Sequence, residues 1–276
     1  MRQLSFLSLT LLLLLLAFKI HAKSEGVFAL QGLGLTTYHA VKSSQEKSPY
    51  HLIVRLPDKY DNTKSYPTMY LLDGGISFPL LSSYYHYLRF TNEIPALIIV
   101  GISYGTDDWQ LGNNRSTDYT AKSSQREHWG GAEKFQNLLQ TKIIPLIENN
   151  YASDPEKRLI FGNSLAGQFV LYTAITKPEL FSGHIASNPA LHRNLPFFLN
   201  KENVGSFVAL QSKLFVSSGS KDDSQFREPA AKWMHYWSSQ KKIPWKLKTE
   251  TLHNEGHMSA IPSAFFRGTQ WIFAAH

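Results

Sequence analysis

Arg158-Leu159-Ile160-Phe161-Gly162-Asn163-Ser164-Leu165-Ala166-Gly167 is the stretch on which the reading of this chain turns. Its opening is a short apolar run that suits a buried strand, and Leu165 to Thr176 has the length and composition of a helix stopped by Lys177-Pro178. Between them Gly162, Ser164 and Ala166 spell G-x-S-x-A, one methyl group away from the G-x-S-x-G of a serine lifted onto a sharp strand-to-helix turn. Positions 162 and 166 must be small because strand and helix approach each other there. The string alone is common by chance. Its setting between a strand and a helix is what separates a nucleophile from a serine that only caps the helix.

Outward from this turn the chain alternates strands with helices. Residues 35–41 and 50–56 read as half-exposed strands, and 68–72 is an apolar strand that stops at Asp73-Gly74-Gly75. A helix is predicted from Pro79 to Phe90, then a buried β-branched strand over 96–102. Residues 103–130 are polar and aperiodic, a long loop of the kind that often carries function. Helical spacing returns from Gly131 to Tyr151, with Pro145 as an expected kink. Strands at 184–187, 214–218 and 245–252 follow, with helices at 225–242 and 264–275. This order predicts an α/β fold: a mostly parallel central sheet with an antiparallel edge and helices on both faces. The chemistry is then expected beyond the carboxyl ends of the strands.

Candidate residues fall in those places. A serine hydroxyl needs a partner to take its proton, and His257, in the loop after the last strand, is the leading base, with His253 as the alternative. An acid that holds the imidazole is expected after the strand ending at Ser218: Asp222 first, then Asp223 or Glu228. Two backbone N–H groups must meet the developing oxyanion. Leu165 supplies one by position, and Gly75, or Gly74, supplies the other. Trp109 and Arg115, with Trp129 and Arg193, are candidates for lining the substrate site. His253 and His257 have the spacing of a helical zinc pair, but Gly256 breaks a helix there and the Glu is not in the metalloprotease position. No metal or cofactor is called for.

The rest of the composition narrows the class. Met1-Arg2, an apolar core centred on Leu11–Leu16 and the close at His21-Ala22 describe a secretory leader over residues 1–22, too short to span a bilayer. Residues 23–276 are expected to form one domain without stable membrane insertion. The absence of cysteine excludes a thiol nucleophile, a disulfide framework and a lipidated-Cys anchor. Losing residues 1–22 removes Arg2 and Lys19 and no acid, which lowers the formal charge from +7 to +5. That charge is scattered, unlike the concentrated footprint of a nucleic-acid binder.

These residues together resemble the putative esterase family of α/β hydrolases, which includes enterobactin and salmochelin esterases and esterase D-like enzymes. Leu71-Leu72-Asp73-Gly74 resembles the family's oxyanion strand end, and Arg115-Ser116-Thr117-Asp118-Tyr119-Thr120 its R-x-x-D-[YL]-T stretch. Gly130-Gly131-Ala132 to Phe135, with Ile144-Pro145-Leu146-Ile147-Glu148, resembles the helix before the nucleophile. Gly219-Ser220-Lys221-Asp222 resembles the acid loop and Gly256-His257 the base loop; the departures are Asn163 and Ala166. The resemblance implies an α/β-hydrolase fold and an exported, periplasmic or secreted, serine esterase. It would act on small acyl or siderophore-type esters through Ser164, His257 and Asp222. An envelope acyltransferase, or a non-catalytic binding protein on the same scaffold, is the alternative.

Overall fold

The computed structural model describes residues 30–42, 48–205 and 212–274. The boundary expected at residues 22/23 lies outside them. Eight strands form one sheet: β1 (Thr36–Val41), β2 (Tyr50–Arg55), β3 (Tyr66–Leu71), β4 (Ile98–Ser103), β5 (Ser153–Asn163), β6 (Gly183–Ser187), β7 (Lys213–Gly219) and β8 (Lys246–Leu252). Their order is β1-β2-β4-β3-β5-β6-β7-β8. The β1–β2 and β2–β4 pairs are antiparallel and all others parallel. The helices are α1 (Gly74–Phe90), α2 (Arg115–Asp118), α3 (Ala132–Leu138), α4 (Ile144–Asn150), α5 (Leu165–Thr176), α6 (Leu195–Leu199), α7 (Ser224–Ser238) and α8 (Ala260–Phe273). This is the α/β-hydrolase arrangement, with the expected antiparallel edge. Among the described residues no helix is long and apolar enough to cross a membrane.

The central strands are buried over β4, β6 and the last five residues of β5 because helices cover both faces there. Alternate residues go to opposite layers. Met69, Leu71, Leu159 and Phe161 pack with Phe78, Leu81, Tyr85, Ala264 and Phe265 of α1 and α8. Tyr70 and Ile160 face the other way, into a layer with Phe135, Ile147, Phe169, Val170 and Trp233 from α3, α4, α5 and α7. The chain steps from β3 to β4 on one side and later returns to place β5 on the other. The crevice at the carboxyl ends of β3 and β5 is therefore where a parallel sheet of this kind accepts a ligand.

Three elements differ from expectation for backbone reasons. Helix α1 starts at Gly74, five residues before Pro79, and runs through it. A Cβ on Gly74 would stand 2.6 Å from the Gly101 carbonyl carbon, so only glycine lets this helix begin against β4. The helical stretch around Pro145 is resolved by a π-turn, Leu139–Ile143, between α3 and α4. Pro145 has no N–H for the carbonyl one turn back, and the wider turn absorbs that loss. Strand β5 begins at Ser153 rather than Arg158. Its register on β3 jumps from Tyr66↔Ser153 to Thr68↔Arg158, and Pro155, which cannot donate to a ladder, falls in the excursion.

His184 on β6 is fully buried, with its ring edge-on to Phe181 at 5.8 Å. Burial disfavours the imidazolium and pushes the pKa down to about 3. In the unfolded chain the ring titrates near ~6.5. Below that pH the unfolded chain takes up a proton that the folded protein refuses, so stability falls as pH drops from about 6.5 towards 3. The full slope is about 1.4 kcal/mol per pH unit. His184→Leu should flatten the acid limb of a series of urea denaturations run between about pH 7 and pH 4. An unchanged limb would mean that this histidine is not the source of the acid sensitivity.

Candidate active site

The turn between β5 and α5 is built by close approach. Ser164 has φ 62° and ψ −121°, a left-handed conformation that a non-glycine residue adopts only under constraint. A Cβ on Gly162 would run into the Ala166 carbonyl and lie 2.9 Å from the Ala166 methyl, so the methyl at 166 is accommodated only because 162 carries none. A Cβ on Gly167 would sit 2.7 Å from the Ser187 carbonyl oxygen. Gly167 is thus the residue that brings α5 against β6. The Ser164 backbone is fixed on both sides: its N–H donates to Ser187 at 3.0 Å, and its carbonyl accepts from Gln168 at 2.9 Å and Ala190 at 3.0 Å. The Ser164 hydroxyl makes no capping bond to α5.

Across the crevice, His257 Nδ1 stands 2.7 Å from Asp222 Oδ2, and the Asp222 side chain is only 1% exposed. The other Asp222 oxygen accepts the Asp223 N–H at 2.7 Å. Asp223 itself is exposed and caps α7 by accepting from the Gln225 N–H at 2.9 Å. Glu228 and His253 are exposed. Phe226 lies against the His257 ring at 4.6 Å between centroids. A carboxylate bonded to Nδ1 fixes the tautomer whose Nε2 can accept a proton.

A cavity of about 320 Å³ opens at Ser164, walled by Leu72, Ile76, Leu80, Phe161, Met258 and Ile261, with Asp73, Gly75, Asn163 and Arg115 among its polar contributors. Gly75 and Leu165 lie in the first turns of α1 and α5, where backbone N–H groups have no intrahelical acceptor. Trp109, expected to line the site, instead stands 74% exposed on a 3₁₀ turn, Trp109–Leu111, outside these walls. Its neighbours in the loop are polar, and nothing draws the indole inward. Arg115 does reach the cavity, but its Nε and Nη2 donate to the two Asp73 carboxylate oxygens at 2.6 and 2.7 Å. Burial works against the Arg115 charge, and the Asp73 bonds outweigh it, holding the pKa above its ordinary value. Trp129 is buried edge-on to His192, and the Arg193 carbonyl accepts from Ser123.

Residues 43–264 match the family model described as "Putative esterase". The chain belongs to this esterase family. It is 32% identical over 205 residues to the ferri-bacillibactin esterase BesA of Bacillus subtilis, covering 69% of this chain and 68% of that one. It is 26% identical over 194 residues to the apo-salmochelin esterase of Escherichia coli, covering 66% and 60%. Among solved structures, the BES protein from Bacillus cereus superposes with a TM-score of 0.75 at 23% identity, over 87% of this chain and 95% of that one. The enterobactin and salmochelin hydrolase IroE gives 0.69 at 21%, over 87% and 95%.

In this esterase one residue that sequence reasoning missed joins the two loops that carry Asp222 and His257. Asn188, 1% exposed and at φ 42°, follows β6. Its Oδ1 accepts the Gly219 N–H at 2.7 Å, and its Nδ2 donates to the His257 carbonyl at 3.0 Å. Asn163 Nδ2 reaches the same carbonyl at 3.3 Å. The available signal was Ser187-Asn188-Pro189 at a strand end, a short amide side chain where the chain must turn. Asn188→Ala leaves the Gly219 N–H and the His257 carbonyl without this partner. It should cost about 1–3 kcal/mol in urea denaturation and lower kcat more than it raises KM. A variant with wild-type stability and kcat would show that the bridge does not hold the loops.

Proposed function

We propose that this esterase is a serine hydrolase in which Ser164 is the nucleophile, His257 the general base and Asp222 the acid. The observation that carries the reading is the 2.7 Å bond from His257 to the buried Asp222 carboxylate, with the strained Ser164 lining the cavity. Ser164 Oγ attacks the ester carbonyl carbon as its proton passes to His257 Nε2. The carbonyl oxygen becomes an oxyanion that accepts from the N–H groups of Leu165 and Gly75. Collapse expels the alcohol, which takes the proton from His257 and leaves an acyl-Ser164 ester. Water, deprotonated by His257, then attacks that ester and releases the acid. The balance is ester plus water to acid plus alcohol, with no metal or cofactor in any step.

The relatives named as siderophore esterases support a siderophore-type ester as substrate. The leader read at residues 1–22 supports export, with the reaction in the periplasm or outside the cell, and the scattered basic residues support a partner other than nucleic acid. The test is reaction of the chain from Lys23 with a fluorophosphonate, with the label located by mass spectrometry. Label on Ser164, absent in Ser164→Ala, is the expected result, and an unlabelled active protein would overturn the nucleophile. Asp222→Asn should lower kcat by about 10²–10⁴-fold, since the imidazole loses its tautomer-fixing partner. Asp223→Asn should leave kcat within about twofold, and a larger fall than in Asp222→Asn would reassign the acid. Acyl product appearing on an added alcohol faster than on water would move the assignment to acyl transfer.

A further inference from the structure

Asp73 stands where a helix N-cap stands, directly before Gly74, the first residue of α1. An N-cap aspartate ordinarily turns its carboxylate onto the N–H of the second or third helical residue. Here those residues are Gly75 and Ile76. Asp73 makes no such bond. Both of its oxygens are taken by Arg115, from Nε at 2.6 Å and Nη2 at 2.7 Å. The Ile76 and Ser77 N–H groups donate instead to the Asp73 backbone carbonyl, at 3.0 and 2.9 Å. Gly75 lines the cavity, and the Asp73 carboxylate makes no capping bond to its N–H.

The backbone under this arrangement is held from the same segment. Asp73 is left-handed, with φ 53° and ψ 42°, and its N–H donates to the Tyr119 hydroxyl at 3.2 Å. Tyr119 is fully buried, and the Arg115 guanidinium lies 5.7 Å from its ring centroid. Asp118 between them accepts from the Tyr50 hydroxyl at 2.8 Å and the Tyr104 hydroxyl at 3.0 Å, which pins α2 in the core. One five-residue stretch, Arg115–Tyr119, therefore grips Asp73 by its side chain and by its backbone.

We infer that Arg115 is a positioning residue for the oxyanion site rather than a ligand for substrate. It acts through Asp73 in two ways. It draws the carboxylate off the Gly75 N–H, leaving that donor to the reacting oxygen. It also neutralises a carboxylate that would otherwise face a developing negative charge. The inference rests on the serine-hydrolase reading, because the donor it protects matters only if an oxyanion forms there.

The test uses Arg115→Gln, Arg115→Lys, Asp73→Asn and the double variant Asp73→Asn/Arg115→Gln on an uncharged and an anionic p-nitrophenyl ester. Arg115→Gln should lower kcat by about 30–300-fold on both esters, the scale of losing much of one oxyanion donor, with KM within about threefold. Affinity for a trifluoromethyl ketone, whose adduct carries the oxyanion, should fall by a similar factor. Ethylguanidinium should restore part of the kcat of Arg115→Gln. The double variant should lose less than Arg115→Gln alone, since no unpaired carboxylate remains. Arg115→Lys, which keeps the charge, should sit between wild type and Arg115→Gln and serves if the glutamine variant fails to fold. A loss confined to KM on the anionic ester, with no recovery in the double variant, would overturn positioning in favour of substrate binding. Wild-type protein that does not label at Ser164 would sink the hydrolase reading itself, whereas labelled wild type with undiminished variants would sink only this inference.

Discussion

The site depends on how closely α5 approaches the ends of β5 and β6. Gly162, Ala166 and Gly167 together present a single methyl group across that contact, and a Cβ on either glycine would collide with backbone. The close fit is what forces Ser164 into its left-handed turn. A residue held there costs of the order of 1–3 kcal/mol. The compensation is local: three backbone hydrogen bonds on Ser164 itself, and a fully buried helix face with Phe169, Val170 and Leu171 behind it. A turn relaxed to an ordinary helical start would point the serine along the helix and allow it to cap. Here Ser164 makes no capping bond.

The second constraint is that Asp222 and His257 come from loops following different strands and meet at 2.7 Å. Backbone bonds stitch these loops: Lys221 N–H to the Glu255 carbonyl at 2.8 Å and Ser220 N–H to the Leu252 carbonyl at 2.9 Å. Asn188 then ties both loops to the end of β6, the strand that also receives the Ser164 N–H. The ends of β6, β7 and β8 are thereby tied to one another by hydrogen bonds. That stitching suits the proposed serine-hydrolase site, whose donors and acceptors must be in place before charge develops.

What was legible in the sequence was whatever apolar pattern decides. Strands β4, β6 and β7 begin and end within two residues of their expected bounds, helix α5 matches its expected span, and the elbow lies in its expected strand–helix setting. Regions where the backbone overrides composition were not legible. Pro79 reads as a helix start, but glycine packing against β4 starts α1 earlier. The first residues of β5 are polar and exposed, so their pairing with Tyr66 left no trace in hydropathy. Of the two side chains expected to line the site, Arg115 reaches the cavity and Trp109 does not. Composition does not reveal that an arginine already has a carboxylate partner 42 positions earlier in the chain. Asn188 was missed for the same reason: its two partners lie 31 and 69 residues away.

Backbone strain in this molecule gathers at the carboxyl edge of the sheet, where the proposed site lies. Six non-glycine residues among those described have positive φ, and four of them, Asp73, Ser164, Asn188 and Asn254, lie in turns that follow β3, β5, β6 and β8. All four turns are at carboxyl ends, on one edge of the sheet. Asp73 and Ser164 line the cavity, and Asn188 ties the two neighbouring loops together. A longer, relaxed loop would avoid the left-handed residue but add freedom at the reacting groups, and effective positioning is lost with displacements of about 1 Å. The short strained turn is the alternative that keeps the geometry, and it requires a core that resists relaxation. The two apolar layers on either face of the sheet provide that resistance. Fold and site are therefore not separable here: loosening the packing beneath any of these strand ends would act first on the geometry of the turn above it, before it lowered the stability of the whole.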